Sequence, residues 1–292
     1  MARRNLADHD LPQKRHAFLL VAHTDPAMAR RLQRALSHPR VDIFLHVDKR
    51  MDPAPFLETG TILLSERITV QWGGWDLVEA TLVLLSASLA KGGYSHFTHL
   101  SGQDYLLQPV EKVLDALESH QGQWVDLAWT EDDRRARWSD YHVTTKHPLR
   151  RLVQRAYRKF CLRPPRRRAL PPGLVYGCGS ALWTLERPAA EWTMDFLRRR
   201  PDVARFFRNT IHTSEMFIHT LMRSSPFADT LGRHGHFIDW SRGGPHPEIL
   251  TEPDFDRLVG SGMLFARKFD SLRSGSLLDA LDSHSKGTRT GI

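Results

Sequence analysis

A chain of 292 residues, 41% hydrophobic and 25% charged, is long enough for one large α/β domain or two small ones, and its composition excludes collagenous and wholly disordered proteins. The net charge of +8 is local: Lys146, Arg150, Arg151, Arg155, Arg158, Lys159, Arg163, Arg166, Arg167 and Arg168 fall between Tyr141 and Leu185, a stretch with no Asp or Glu. Without these ten, 31 of the 41 basic residues remain against 33 acidic ones, so the charge marks either a docking surface for a membrane face or charged glycan or a solvated insertion, and argues against a nucleic-acid-binding fold.

Ala17–Ala22 is a continuous apolar run of strand length, the pattern of a parallel strand buried on both faces. Asp25-Pro26 offers an N-cap and a first-turn proline for a helix with Met28, Leu32 and Leu36 on one face, and His38-Pro39 ends it. Val41–Val47 predicts a second strand and Thr61–Leu64 a short third. Asp76 and Glu79 have capping-box spacing, opening a helix that stops at Gly92-Gly93, and Ser95–Leu100 is a strand. Pro109 starts a helix with Val110, Val113, Leu114 and Leu117 inward, and Trp124–Ala128 reads as a strand. This alternation predicts an α/β fold: an open, mostly parallel twisted sheet with helices on both faces and ligands at the carboxyl ends of its strands.

In the basic segment Leu152, Val153, Tyr157 and Phe160 recur at the spacing of an amphipathic helix. Beyond it come a strand around Leu174–Leu185, a helix over Arg187–Arg199, a helix opening near Thr213 and a short strand at Phe237–Trp240. A helix capped by Thr251 with Asp254 follows, then a last strand at Met263–Phe269. Ser, Gly, Lys and Arg accumulate from Ser271, so residues 273–292, like 1–13, are expected to be flexible tails around a single domain of residues 14–272 with a basic insertion at about 141–172. Two cysteines, Cys161 and Cys178, make no disulfide framework, no apolar run is long enough to span a bilayer, and Met1–Arg15 has no apolar core. A cytoplasmic location, peripheral at the inner face of a membrane, is the expectation.

The chain has no phosphate-cradling G-x-x-x-x-G-K-[ST], no G-x-G-x-x-G after its first strand and no G-x-S-x-G. His96 and His99, three apart on a strand, point to opposite faces and make a poor metal pair. Asp48 and Asp104 each follow a strand, the latter beside Gly102, and each is either a ligand group at the carboxyl edge or a turn cap. Arg267 and Lys268 are adjacent cations in an apolar strand. Alternation sends one of them inward, where it needs an anion such as phosphate, unless the strand is an edge with both exposed. Glu215, near the start of an apolar helix, is either a charge favoured by the helix dipole or a general base.

Seven segments, in order, carry a resemblance: Ala17-Phe-Leu-Leu-Val-Ala-His23, Phe44-Leu-His-Val-Asp-Lys49, Trp72-Gly-Gly74, Phe97-Thr-His-Leu-Ser-Gly-Gln-Asp-Tyr105, Glu215-Met-Phe-Ile-His-Thr220, Ile238-Asp-Trp240 and Phe265-Ala-Arg-Lys-Phe269. Over about residues 14–272 the chain resembles the core-2/I-branching glycosyltransferases, a family of β-1,6-N-acetylglucosaminyltransferases and peptide O-xylosyltransferases, and its last two segments look closer to the xylosyltransferase branch. The resemblance implies a GT-A-like, inverting, metal-independent transferase that needs no cofactor. It would move GlcNAc or xylose from UDP-GlcNAc or UDP-xylose to a hydroxyl of a glycan, lipid-linked or peptide acceptor. It implies that His23, Asp48, Lys49, Arg67, Trp72 and Gly74 surround the uridine and that Asp104 lies near the donor sugar. Arg267 and Lys268 would bind the diphosphate in place of a metal, with Glu215 as the catalytic base. The alternatives are a catalytically inactive glycan- or nucleotide-sugar-binding protein, against which Glu215, Arg267 and Lys268 together speak, and a basic nucleic-acid-binding protein, against which the confinement of charge speaks.

Overall fold

From His16 onward every residue of β1 (Arg15–Ala22) is buried, as an uninterrupted apolar run requires when both faces of a strand are covered. Phe18, Leu20 and Ala22 enter one hydrophobic core; Ala17, Leu19 and Val21 enter the other. In this computed structural model, which describes residues 14–71, 73–128, 135–140, 142, 152, 168–232, 234–244 and 246–287, parallel strands β2 (Val41–Val47) and β4 (Tyr94–Ser101) flank β1. Strand β3 (Ile62–Leu63) pairs parallel to β2, and β6 (Trp183–Glu186) pairs antiparallel to β4, giving the order β3-β2-β1-β4-β6. A second, three-stranded sheet has β8 (Phe265–Arg267) between β5 (Asp104–Leu106) and β7 (His236–Ile238).

Helices cover both faces of the main sheet, as the alternation predicts. Helices α1 (Pro26–Ala35) and α3 (Val110–Ser119) pack into the first core, while α2 (Trp75–Lys91), α5 (Arg187–Arg199), α6 (Pro201–Phe207) and α7 (Phe217–Arg223) pack into the second. A short helix, α4 (Ala136–Ser139), adds Trp138 to the second core. Asp25 caps α1 by accepting the Met28 amide at 3.1 Å. Thr251 and Asp254 form the expected capping box, which opens a 3-10 turn and then α8 (Phe255–Val259). Among the described residues no helix is long and apolar enough to cross a membrane.

Three expectations change. Gly74, not Asp76, is the N-cap of α2, with Asp76 inside its first turn. Residues 124–128 form no strand: only Trp124 makes a bridge, to Thr184, and the expected strand at 174–185 joins the sheet only from Trp183 onward. The backbone there is satisfied by other partners: the Gly177 amide by the Thr220 hydroxyl, the Gly179 amide by the Glu215 carbonyl and the Ser180 amide by Asp126. Lastly, residues 275–287 are not a tail but helix α9 (Gly275–Gly287), whose Leu277, Leu278 and Leu281 are buried. Arg31 of α1 ties it down through Asp279 at 2.7 Å and Asp282 at 2.5 Å. Its Ser and Gly content masked three leucines at amphipathic spacing. The basic residues 146–167 and Cys161 lie outside the described residues, and with them most of the expected amphipathic helix.

Buried histidines make the fold sensitive to acid. His96 stacks on His16 with ring centroids 4.9 Å apart, and burial, reinforced by His16, pushes the His96 pKa down to about 3. Burial likewise lowers His99 to about 4. Both are uncharged when folded and gain a proton on unfolding below about pH 6.5, so their stabilising effect is complete above that pH and is lost as pH falls toward the folded values. Each should forfeit roughly 3 kcal/mol by pH 4. Thermal melts between pH 7.5 and 4 should therefore show a fall of well over 10 °C, and an unchanged melting temperature would contradict it.

Candidate active site

Strands β1, β2 and β4 end in register, with Ala22 opposite Val47 and Val21 opposite Ser101, so the residues that follow gather at one carboxyl edge. The Asp48 amide donates to the Ala22 carbonyl at 2.9 Å and the Gly102 amide to the Val21 carbonyl at 3.0 Å. Gly102 packs closely: a Cβ would lie 3.2 Å from that of Ala22 and 3.3 Å from that of Ala29, tight enough that these neighbours would have to shift by a few tenths of an ångström. Asp48 is 1% exposed. It takes the Arg50 guanidinium through Nε at 2.8 Å and Nη2 at 2.7 Å, and accepts the amides of Arg50 at 2.9 Å and Val70 at 3.0 Å. Burial alone would raise its pKa, but Arg50 and these amides outweigh it and hold the carboxyl at about 2. Lys49 is exposed, its amide on the Ile68 carbonyl, and Arg67 donates to the Met51 carbonyl at 2.9 Å. His23 is exposed, yet desolvation of its imidazole by the surrounding chain, aided by Lys268, Arg50 and Arg267, lowers its pKa against the pull of Asp48. His23 thus senses both this loop pair and the second sheet.

In that sheet β8 is central, and Arg267 sits directly opposite Asp104 of β5. The anion that an inward cation requires is therefore supplied by the protein: Arg267 Nε lies 3.4 Å from Asp104 Oδ1. Asp104 is fully buried and also accepts the Ser101 amide at 2.6 Å and the Ser101 hydroxyl at 3.0 Å. Burial pushes its pKa up, opposed by Arg267 and Ser101. The peptide joining Arg267 to Lys268 is cis. Lys268 is half-buried, its pKa lowered by burial and by Arg267, and among the described residues its ammonium has no hydrogen-bond or ion-pair partner.

Glu215 ends a 3-10 turn, Thr213–Glu215, that precedes α7, so it is not in the first turn of the helix as expected. Its amide donates to the His212 carbonyl at 3.0 Å and its carbonyl accepts the Gly179 amide at 2.9 Å. Its carboxylate pairs with Arg137. The His212 amide donates to the Gly73 carbonyl at 2.7 Å, and Gly74 to the Gln71 carbonyl at 3.1 Å. Because Val70 is bonded to Asp48, the 66–74 loop runs from the cation-rich edge to the Glu215 turn. Trp72 lies outside the described residues.

A model of the Core-2/I-Branching enzyme family matches residues 16–257. The chain belongs to that family. It is 27% identical over 291 residues to β-glucuronosyltransferase GlcAT14B of Arabidopsis thaliana, covering 92% of this chain and 65% of the plant protein. It is 26% identical over 314 residues to human xylosyltransferase 2, covering 96% of this chain and 34% of the human protein. The chain thus spans just under two-thirds of one relative and a third of the other.

In this Core-2/I-Branching member four residues that sequence reasoning passed over organise the site. Arg50 locks Asp48, a contact two residues away that follows from the turn Asp48 makes with the Arg50 amide. Arg137 faces Glu215. Asp126 accepts the Ser180 amide at 2.8 Å and lies 3.4 Å from His219 Nε2. A Cβ on Gly179 would come within 2.5 Å of Asp126 Oδ1 and 2.7 Å of His219 Nε2, so Gly179 passes tightly between this pair and the Glu215 carbonyl. Burial would raise the Asp126 pKa, but His219 and His234 bring it below the usual carboxylate range.

Proposed function

We propose that this chain transfers a sugar from a UDP-sugar to an acceptor hydroxyl, inverting the anomeric centre and using protein cations instead of a metal. The observation that carries this reading is the connection, through the 66–74 loop, of a cation-rich strand edge to a turn bearing a part-exposed carboxylate. Lys268, and Arg267 aimed by Asp104, stabilise the negative charge that grows on the β-phosphate as the bond to the sugar breaks. Glu215 accepts the proton of the acceptor hydroxyl as its oxygen attacks the anomeric carbon from the opposite side. UDP departs with the electron pair, and an α-linked donor yields a β-glycoside. His23, with its lowered pKa, is neutral at pH 7 and is suited to hydrogen-bonding an uncharged base. Trp240, 49% exposed and two residues past β7, the strand that pairs Ile238 with Arg267, offers an apolar face for an acceptor sugar.

The relatives widen the donors to be tested from xylose and GlcNAc to glucuronic acid. Metal independence is part of the proposal, resting on Lys268 and Arg267 as the cations for the diphosphate. The test is a panel of UDP-xylose, UDP-GlcNAc and UDP-glucuronic acid in EDTA, read by melting temperature and UDP release. A donor at 100 times its Kd adds about 2.7 kcal/mol, a rise of several degrees. No stabilisation by any donor, or turnover abolished by EDTA and restored by Mn²⁺, would contradict the proposal.

A further inference from the structure

We infer that Arg137 is the positioning residue for Glu215, an inference that rests on Glu215 being the base. Arg137 Nη1 pairs with Glu215 Oε2, and the two side chains are only 20% and 28% exposed, so the contact is partly withdrawn from solvent. Arg137 is held firmly. Its neighbour Trp138 is 4% exposed, with its ring 5.9 Å from that of Tyr176 and 6.5 Å from that of Phe206. The Arg137 carbonyl accepts the Ile211 amide at 3.0 Å, and the His142 amide reaches the Asn209 carbonyl at 2.9 Å. The segment carrying Arg137 is thus stitched to residues 209–211, directly before the turn that carries Glu215.

A three-residue 3-10 turn fixes the Glu215 backbone but leaves its side-chain torsions free, and ordering a glutamate side chain costs rotamer entropy. Arg137 removes that freedom from a rigid base. Because it engages Oε2, Oε1 is left to take the acceptor proton. Among the described residues Glu215 has no other ion-pair partner. No local pattern reveals the contact, since the two residues are 78 apart in the chain.

The test is the hydrolysis of UDP-xylose, UDP-GlcNAc or UDP-glucuronic acid, whichever the wild-type protein turns over fastest, together with UDP affinity by calorimetry. Arg137→Ala should lower kcat about 10 to 100-fold, the scale of a misplaced catalytic group, with UDP affinity within twofold of wild type. Arg137→Lys should recover most of the loss, and guanidinium ion at millimolar concentration should partly rescue Arg137→Ala. In a Glu215→Gln background, Arg137→Ala should cost nothing further. Should Arg137→Ala fold poorly, Arg137→Gln makes the same comparison with the side-chain length kept. A kcat within twofold of wild type in the folded Arg137 variants, or an equal loss in the wild-type and Glu215→Gln backgrounds, would overturn the inference. Wild-type kcat in Glu215→Gln alone would instead remove the base, a separate result read from a separate protein.

Discussion

Replacing Glu215 by Gln should lower turnover roughly 10² to 10⁴-fold while UDP affinity and melting temperature stay close to wild type. The substitution keeps the size and most of the hydrogen bonding of the side chain and removes only its ability to accept a proton. The carboxylate is 28% exposed and lies outside both hydrophobic cores, so little packing depends on it. Loss of its pair with Arg137 costs about 1 kcal/mol or less of stability at that exposure. If Glu215 served only as a charge beside a helix, turnover would hardly change. Calorimetry with UDP, a thermal melt and the rate of UDP release on this one variant separate the two roles, and a folded variant with near-wild-type turnover would sink the mechanism.

Lys268→Glu should weaken UDP binding by well over tenfold, since a charge-assisted hydrogen bond contributes about 1.5 to 3 kcal/mol and the new carboxylate adds repulsion. Its melting temperature should hold, because Lys268 has no ion-pair partner among the described residues to lose. Arg267 differs. Arg267→Gln should weaken UDP binding similarly, but it also leaves Asp104 buried without its cation, so melting temperature should fall together with affinity. Calorimetric titration of UDP into both variants, beside their melts, checks this split. Unchanged affinity in folded Lys268→Glu would remove the diphosphate site from β8.

The three central strands of the main sheet, β1, β2 and β4, were legible because they are long enough to show a pattern. The apolar run of β1, the bounds of β2 and the helix over Arg187–Arg199 all follow from local residue types. In the second sheet β7 and β8 fall on the strands expected at Phe237–Trp240 and Met263–Phe269, whereas β5, three residues long and too short for a period to emerge, lies within what reads as a loop. Arg267 was recognisable as a cation needing an anion, but the anion is Asp104, brought opposite it by strand pairing that local sequence does not encode. Asp48 and Asp104, expected near the donor, are almost fully buried and engaged by Arg50 and by Ser101 with Arg267, contacts that fix their loops and strand pairing. Arg137 and the Asp126–His219 pair depend on contacts 78 and 93 residues apart, which periodicity cannot reveal.

The anomeric form of the first sugar released from a UDP-sugar tests the central claim most directly. Hydrolysis of the best donor in EDTA, followed by proton NMR from the first minutes onward, distinguishes the newly formed anomer before mutarotation mixes the two. Attack by water activated at Glu215, with UDP leaving toward Lys268 and Arg267, predicts that the β anomer forms first from an α-linked donor. The α anomer as first product, or release that requires an added divalent metal, would contradict an inverting displacement driven by these residues.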